Sequence, residues 1–403
     1  MKARFFLLGA VCSSMVVFAA EADALAIDER IQARHMPHGA IADPAYPDPD
    51  STEILNYTRC GDSAIWTGHY LAAESYRYAV TRSPQALDNV RRAIDAIRRM
   101  LDVTRNNLLP RCAFPANSPW AAAWISEEGS HGTWAGIVDG EQWQWIGNTS
   151  RDQYLGVFFG LTATWNVVDL PDVRGAVRSL TVRMLDHLES RAWTVVMPDG
   201  GISTTFAGRA DQRLMMLKLG RRVDGKYDST YRWQSTLLSA GTNANVGIEV
   251  LDPYGTYFKF NLDHITFYGL LSDGDSGWTR SNYERAFTVL RNTTDDHANA
   301  FFDVIERAVK GPNAARDTRI RELLDRWLSR PTRDFFVDLR GKVRECGDRA
   351  CDPVPVEDRV LSDFVWQRSP FQLTGGGSGR VENAGIDYIL PYWMARYYGV
   401  SAD

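Results

Sequence analysis

Glu127, Glu128, Asp139 and Glu141 stand between Trp120 and Trp145 with no Lys or Arg among them, and five of the chain's 13 tryptophans share that stretch. Flat rings stack on the C–H faces of sugars, and unpaired carboxylates bind hydroxyls or move protons. Trp134, Trp143 and Trp145 are the candidate stacking rings. The tryptophans follow neither a helical nor a strand period, and Gly129, Gly132, Gly136 and Gly140 argue for a loop.

The loop runs directly into Asn148-Thr-Ser-Arg-Asp-Gln-Tyr154. Ser150 and Gln153 have the spacing of a capping box, which puts Arg151 and Asp152 in the first turn of a helix. The helix dipole favours a carboxylate there. Asp62, in Cys60-Gly-Asp-Ser, precedes another apolar helix as an N-cap or as a cleft carboxylate. Trp66 and His69 follow on that helix as a stacking ring and a polar group. Hydrolysis of a glycosidic bond needs two carboxyl groups, and Asp152 with Glu127, Glu128 or Asp62 would supply them. His131, between Ser130 and Gly132, is a candidate proton carrier.

A second constellation suits a different reaction. Asn261, His264 and Tyr268 are spaced to share one helical face. Charge neutraliser, base and acid are the groups with which a polysaccharide lyase abstracts a proton and expels a leaving oxygen. Lyase substrates are polyanions and call for converging cations. Ala113–Ser150 holds none, which favours a neutral glycan unless Arg151, Arg209 and Arg213 converge. Arg209-Ala-Asp211-Gln-Arg213 itself reads as a solvated helix start. Asp295-Asp296-His297 reads as the capped start of a helix and lacks the further ligands a metal site needs. Thr374–Gly379 has a phosphate-loop composition without its Lys or preceding strand, so it reads as a linker or a cleft-rim loop. Neither metal nor cofactor is expected.

These groups require helices to carry them. Ala64–Val80 is apolar almost all round, whereas Leu87, Val90, Ile94, Ile97 and Leu101 stripe one side of the next segment. The contrast returns in Tyr154–Val168 before Val173–Leu188, in Leu262–Leu271 before Tyr283–Leu290, and in Phe301–Val309 before Ile320–Leu328. A buried helix followed by a one-sided helix, several times over, describes an inner ring covered by an outer ring. The predicted fold class is therefore all-α: an (α/α) toroid of six hairpins with long loops, over residues 51–403 as a single domain. Val246–Phe260 alternates around Pro253 and Gly255 and suggests one short β-hairpin. Arg330–Leu361 is a second irregular excursion. Ala384–Tyr398 closes the ring despite Pro391.

On the Gly61–Met100 and Thr149–Leu188 hairpins and the aromatic loop between them, the chain resembles the secreted α/α six-hairpin toroids among glycoside hydrolases and polysaccharide lyases. The resemblance is architectural and spans most of the chain. It implies a cleft at the starts of the inner helices, with a poly- or oligosaccharide as partner.

The remaining features set the compartment. Lys2 and Arg4 precede an apolar run from Phe5 to Ala20, then small-residue cleavage signals at Ala22-Asp23-Ala24 or Ala24-Leu25-Ala26. Residues 1–26 read as a signal peptide and 27–50 as a polar, proline-rich strap, so the protein is expected in the periplasm or outside the cell. Loss of Cys12 leaves four cysteines, for which three pairings are possible. Cys346 and Cys351 can close a short local loop, which leaves Cys60 with Cys112. A formal net charge of −5, spread along the chain without a basic stripe, excludes nucleic acid as an expected partner. No segment approaches the length of a membrane span. The expected activity is glycoside hydrolysis by paired carboxylates, with the lyase, or a glycan-binding protein without catalysis, as alternatives.

Overall fold

The computed structural model describes residues 21–400; the apolar leader and Cys12 lie outside them. The described residues are 57% helical, with 14 helices and a few small strands. In order the helices are α1 (Glu21–Arg30), α2 (Ser63–Thr81), α3 (Pro84–Val103), α4 (Ala121–Glu128), α5 (Arg151–Val167), α6 (Pro171–Ser190) and α7 (Ala210–Val223). They continue with α8 (Asp228–Leu238), α9 (Gly241–Glu249), α10 (Phe258–Leu271), α11 (Gly277–Thr294), α12 (Ala300–Lys310), α13 (Ala314–Trp327) and α14 (Ile386–Tyr397).

All four hairpins expected from the hydrophobic pattern form: α2–α3, α5–α6, α10–α11 and α12–α13. Side-chain caps start some of these helices. Ser83 accepts from Ala86 N ahead of Pro84, and Asn299 accepts from the amides of Phe301 and Phe302. The apolar-all-round helices α2, α5 and α10 are buried nearly throughout, whereas α3 and α6 keep one face in solvent. Helix α2 packs on α3, α5 and α14; α5 on α6, α7 and α10; α10 on α7, α11 and α12; and α12 on α13 and α14. Helix α1 lies against α14.

The α2–α5 contact is the closest. Gly68, Gly156 and Gly160 bring the two backbones together, so that a Cβ added at Gly68 would stand 2.7 Å from Val157 N. This approach sets the two helix starts side by side.

Small sheets decorate the helices. Strands β1 (Asp43–Ala45), β2 (Asn56–Thr58), β8 (Arg333–Asp338) and β11 (Thr374–Glu382) form one sheet in the order β2-β1-β11-β8. Its Glu382 is a buried hub that pairs with Arg30, Arg34, His35, Tyr46 and Arg333. Strands β3 (Cys112–Pro115), β4 (Thr133–Val138) and β5 (Glu141–Ile146) form a second sheet in the order β3-β5-β4. Further along, β6 (Thr194–Val196) pairs with β7 (Ile202–Thr205), and β9 (Glu345–Cys346) with β10 (Arg349–Ala350). Cys60 pairs with Cys112 and Cys346 with Cys351, at Cα separations of 5.7 and 4.9 Å.

Several expectations are corrected here. The tryptophan stretch is not a loop but helix α4 and the β4–β5 hairpin. Trp143 and Trp145 alternate along β5 with Gln142 and Gln144, a strand period of two residues that the surrounding glycines obscure. Val246–Phe260 is the end of α9 and a turn into α10, not a hairpin. Thr374–Gly379 is the start of β11, paired antiparallel with β8, rather than a linker. Residues 27–35, expected as part of a strap, are helical, with Asp28 buried on Arg77, Tyr70 and Asn89.

Candidate functional site

Asp62 and Asp152 meet where α2 and α5 begin. Asp62 does not cap its helix; its Oδ1 accepts from Gln153 Nε2 at 3.1 Å, and Gln153 Oε1 in turn accepts from Ile65 N at 3.0 Å. The expected Ser150–Gln153 capping box is therefore not formed. Gln153 is spent on bridging the two helix starts, and the Ser150 hydroxyl serves Asp152 instead.

The α4 carboxylates grip the turn ahead of α2. Glu127 accepts from Thr58 Oγ1 and from the Arg59 amide, and Glu128 accepts from Gly61 N at 3.2 Å. Arg59 is held with φ 59°, in the left-handed region that a residue with a β-carbon seldom adopts. Asn148, just ahead of α5, takes φ 45°. So a strained, non-glycine residue stands upstream of each acid-bearing helix.

His131 joins the same cluster. Asn148 Nδ2 lies 3.2 Å from His131 Nδ1, and Nε2 lies 3.4 Å from Glu128 Oε2. With Asn148 donating to Nδ1, the ring proton sits on Nε2, facing the carboxylate. Arg111 stands among these groups, 3.8 Å from Asp62 Oδ1, and donates to the carbonyls of Gly61 and Asn148 at 3.0 Å each.

Burial shifts both acids the same way. Protein atoms crowd Asp62 although 40% of its side chain stays accessible, and this desolvation pushes its pKa up to about 6. Arg111 opposes that rise, while Asp152 and Glu128 add to it. Burial also raises the pKa of Asp152, against Arg111, Arg151 and Ser150. His131 is lowered by burial and then by Arg111, against Glu128. Beside Asp62, a narrow crevice is lined by Asp43, Arg59, Trp66, Asp363, Phe364 and Asn383, among others.

The other sequence-derived candidates fall elsewhere. Trp143 and Trp145 are buried, at 6% and 2% exposure, and Trp134 stacks on Trp145 at 4.7 Å. Trp143 and Trp145 anchor the β3-β5-β4 sheet in the core, and the half-buried Trp134 packs against Trp145. Trp66 is buried against Phe258, Phe364 and Trp366. His69 is buried beneath Trp366 and held neutral by desolvation, its pKa lowered to about 4. Arg151 donates to Thr205 O.

The lyase set lies inside the core. Asn261, His264 and Tyr268 are all fully buried, because the face they share turns inward. His264 stacks on Phe302 with ring centroids 3.8 Å apart, while Tyr268 bonds Tyr76 and Asn166. Arg209 and Arg213 do not converge with Arg151. Arg209 is tied to Asp211, Glu249 and Asp263, so this helix start is buried rather than solvated, and Arg213 donates to Gln234. Asp295 does not cap the next helix. It binds Arg291 and Arg319, and Asn299 does the capping. Among the described residues Asp295, Asp303 and Glu306 bring oxygens within 4.8 Å of one another, yet Arg291, Arg316, Arg319 and Lys310 already neutralise them.

Among the described residues no helix is long and apolar enough to cross a membrane. Comparison with protein-family models gives no match, and neither does comparison with curated protein sequences.

Proposed function

We propose that the protein is an exported glycoside hydrolase built on an α/α toroid, with Asp62 and Asp152 as its paired acids. The packing order supports the toroid reading: α2, α5, α7, α10, α12 and α14 touch in sequence, and α14 returns to α2. On that reading α3, α6, α11 and α13 form the outer layer, and Asp62 and Asp152 stand at the starts of two inner helices. The observation that carries the activity is two crowded carboxyl groups at adjacent helix starts, with Asp62 held by Gln153, the residue that follows Asp152.

Hydrolysis of a glycosidic bond requires one carboxyl group that still holds its proton near neutrality and one that is ionised. Asp62, with its pKa raised to about 6, suits the general acid that protonates the leaving oxygen. Asp152, which takes compensating contacts from Arg111, Arg151 and Ser150, suits the ionised partner. A neutral glycan fits better than a polyanion, because Arg111 spends its donors on backbone carbonyls and Arg59 is paired with Asp43.

The test is a panel of neutral and uronate glycans scanned for new reducing ends, with ultraviolet absorbance followed for an unsaturated product. Asp152→Asn is expected to lower the rate at least about 10³-fold, roughly 4 kcal/mol of barrier, with little change in melting temperature. Full activity in that variant, or an unsaturated product from the wild type, overturns the reading. The anomer released first reports whether Asp152 attacks the sugar or activates water.

A further inference from the structure

Arg111 is joined to both helix starts by more bonds than its charge alone would need. Its carbonyl accepts from Ala64 N at 3.0 Å, so it satisfies an amide in the first turn of α2 that has no intrahelical partner. Its own amide donates to Ile146 O at 2.9 Å, which fixes it to the end of β5. Its guanidinium spans the gap between the two helices: Nη1 to Gly61 O ahead of α2, Nε to Asn148 O ahead of α5. The next residue, Cys112, is bonded to Cys60, the neighbour of Gly61. Planar, divergent N–H groups are what let one side chain reach two carbonyls at once, and a lysine ammonium cannot reproduce that fork.

We propose that Arg111 is the positioning residue of the acid site, tying the starts of α2 and α5 into one frame that keeps Asp62 and Asp152 facing each other. Its kinetic consequence rests on the hydrolase reading above; the frame itself does not. The groups that share this field are Glu128 and His131 from the α4 region, Gln153, Arg151 and Ser150 from the start of α5, and Asp43, Arg59 and Asp363 across the crevice. Among them Arg111 is the largest influence holding Asp62 and Asp152 toward the ionised form.

The experiment uses the full chain with ¹³C-labelled aspartate, comparing wild type, Arg111→Gln and Arg111→Lys. Carboxyl titrations of Asp62 and Asp152 are followed by NMR, beside melting curves and steady-state kinetics on whichever glycan the panel identifies. In folded Arg111→Gln both carboxyls should titrate at higher pH than in the wild type. Turnover should fall about 100-fold with KM nearly unchanged, the loss that misplacement by about 1 Å brings. Arg111→Lys, which keeps the charge and loses the fork, should recover less than a tenth of the lost turnover. Unaltered titrations overturn the proposal, and so does a raised KM with normal turnover, which would make Arg111 a substrate contact. If no glycan is cleaved, the titrations still decide the frame while the hydrolase reading fails separately. If Arg111→Gln does not fold, Arg111→Lys alone decides, and wild-type titrations and turnover there overturn it.

Discussion

Replacing Gly68 by alanine tests whether the backbone contact between α2 and α5 builds the acid site. Alanine is the better helix former, and at an interior position free of neighbours the exchange is worth about 1 kcal/mol in its favour. Gly175 on α6 is such a position, since a Cβ there meets nothing within 4 Å. At Gly68 the same methyl stands 2.7 Å from Val157 N and closer still to the Gly156 carbonyl, against at least 3.4 Å for an ordinary contact. The obstruction is backbone, which has no rotamer to escape into, so the helices must part by about 0.7 Å or more. Overpacking of this kind costs about 1–3 kcal/mol, and a rigid obstacle places Gly68→Ala near the upper end. The sign therefore reverses between two chemically identical substitutions. Gly175→Ala should melt slightly above the wild type, and Gly68→Ala roughly 1–4 °C below it by differential scanning calorimetry. The same displacement would stretch the 3.0 Å Ile65–Gln153 bond beyond hydrogen-bonding range. Gly68→Ala should accordingly lose glycan turnover while Gly175→Ala keeps it. A Gly68→Ala protein that melts with or above the wild type refutes the backbone-contact argument.

Asp62→Asn should raise the melting temperature at pH 7 while abolishing turnover. The folded pKa of about 6 lies above the ordinary carboxyl value of 3.8, so the native state loses stability as pH rises through that interval. The gap between variant and wild type should thus close below pH 4, and a constant gap across a pH series of melts would contradict the assignment. Glu382→Gln leaves Arg30, Arg34 and Arg333 around a neutral amide and should cost about 3–5 kcal/mol by urea denaturation. Burial works against the charge of Glu382, but His35 and the arginines hold its pKa down to about 2, below its ordinary value of 4.5. Its contribution is therefore present above pH 4.5 and fades as pH falls toward 2, a slope the variant should lack. Trp145→Ala removes a buried ring and should destabilise by about 3–5 kcal/mol, read as an early melt; an unchanged melting curve would restore the stacking-platform reading.

What could be read from the sequence divides along physical lines. The paired buried and one-sided helices were legible because Leu87, Val90, Ile94, Ile97 and Leu101 repeat at 3.6 residues and nothing competes with that pattern. The two disulfides followed from even cysteine count and short local spacing. Asp62 and Asp152 were legible as acids at helix starts, since an apolar run beginning after Asp or Ser-x-x-Gln is a local signal. Their partners were not. Gln153 has capping-box spacing, yet its amide is claimed by the neighbouring helix, a choice set by tertiary contact. Arg111 lies one residue outside the cation-free stretch that made the loop look unpaired, and its role depends on carbonyls at Gly61 and Asn148. The tryptophans misled because stacking on sugar and filling a core ask for the same ring. Burial alone distinguishes them, and burial of Trp143 and Trp145 comes from β3 and α3, not from their own neighbours in sequence.

The seating of α14 against α2 bears on how the molecule is made. Asp62, Arg111, Glu128, His131, Asp152 and Gln153 all lie in the first part of the chain. Beside α3 and α5, part of the surface on which α2 leans is supplied much later, by Ile386–Tyr397. During synthesis from the N-terminus, the acids therefore emerge long before the support that steadies them. Contacts between the extremes of a sequence form late and slowly, since the intervening loop must close first. The nascent protein would thus hold Asp62 on a helix braced by α3 and α5 but not yet by α14. The seam between α14 and α2 is then the latest of the contacts around the two carboxyls to form.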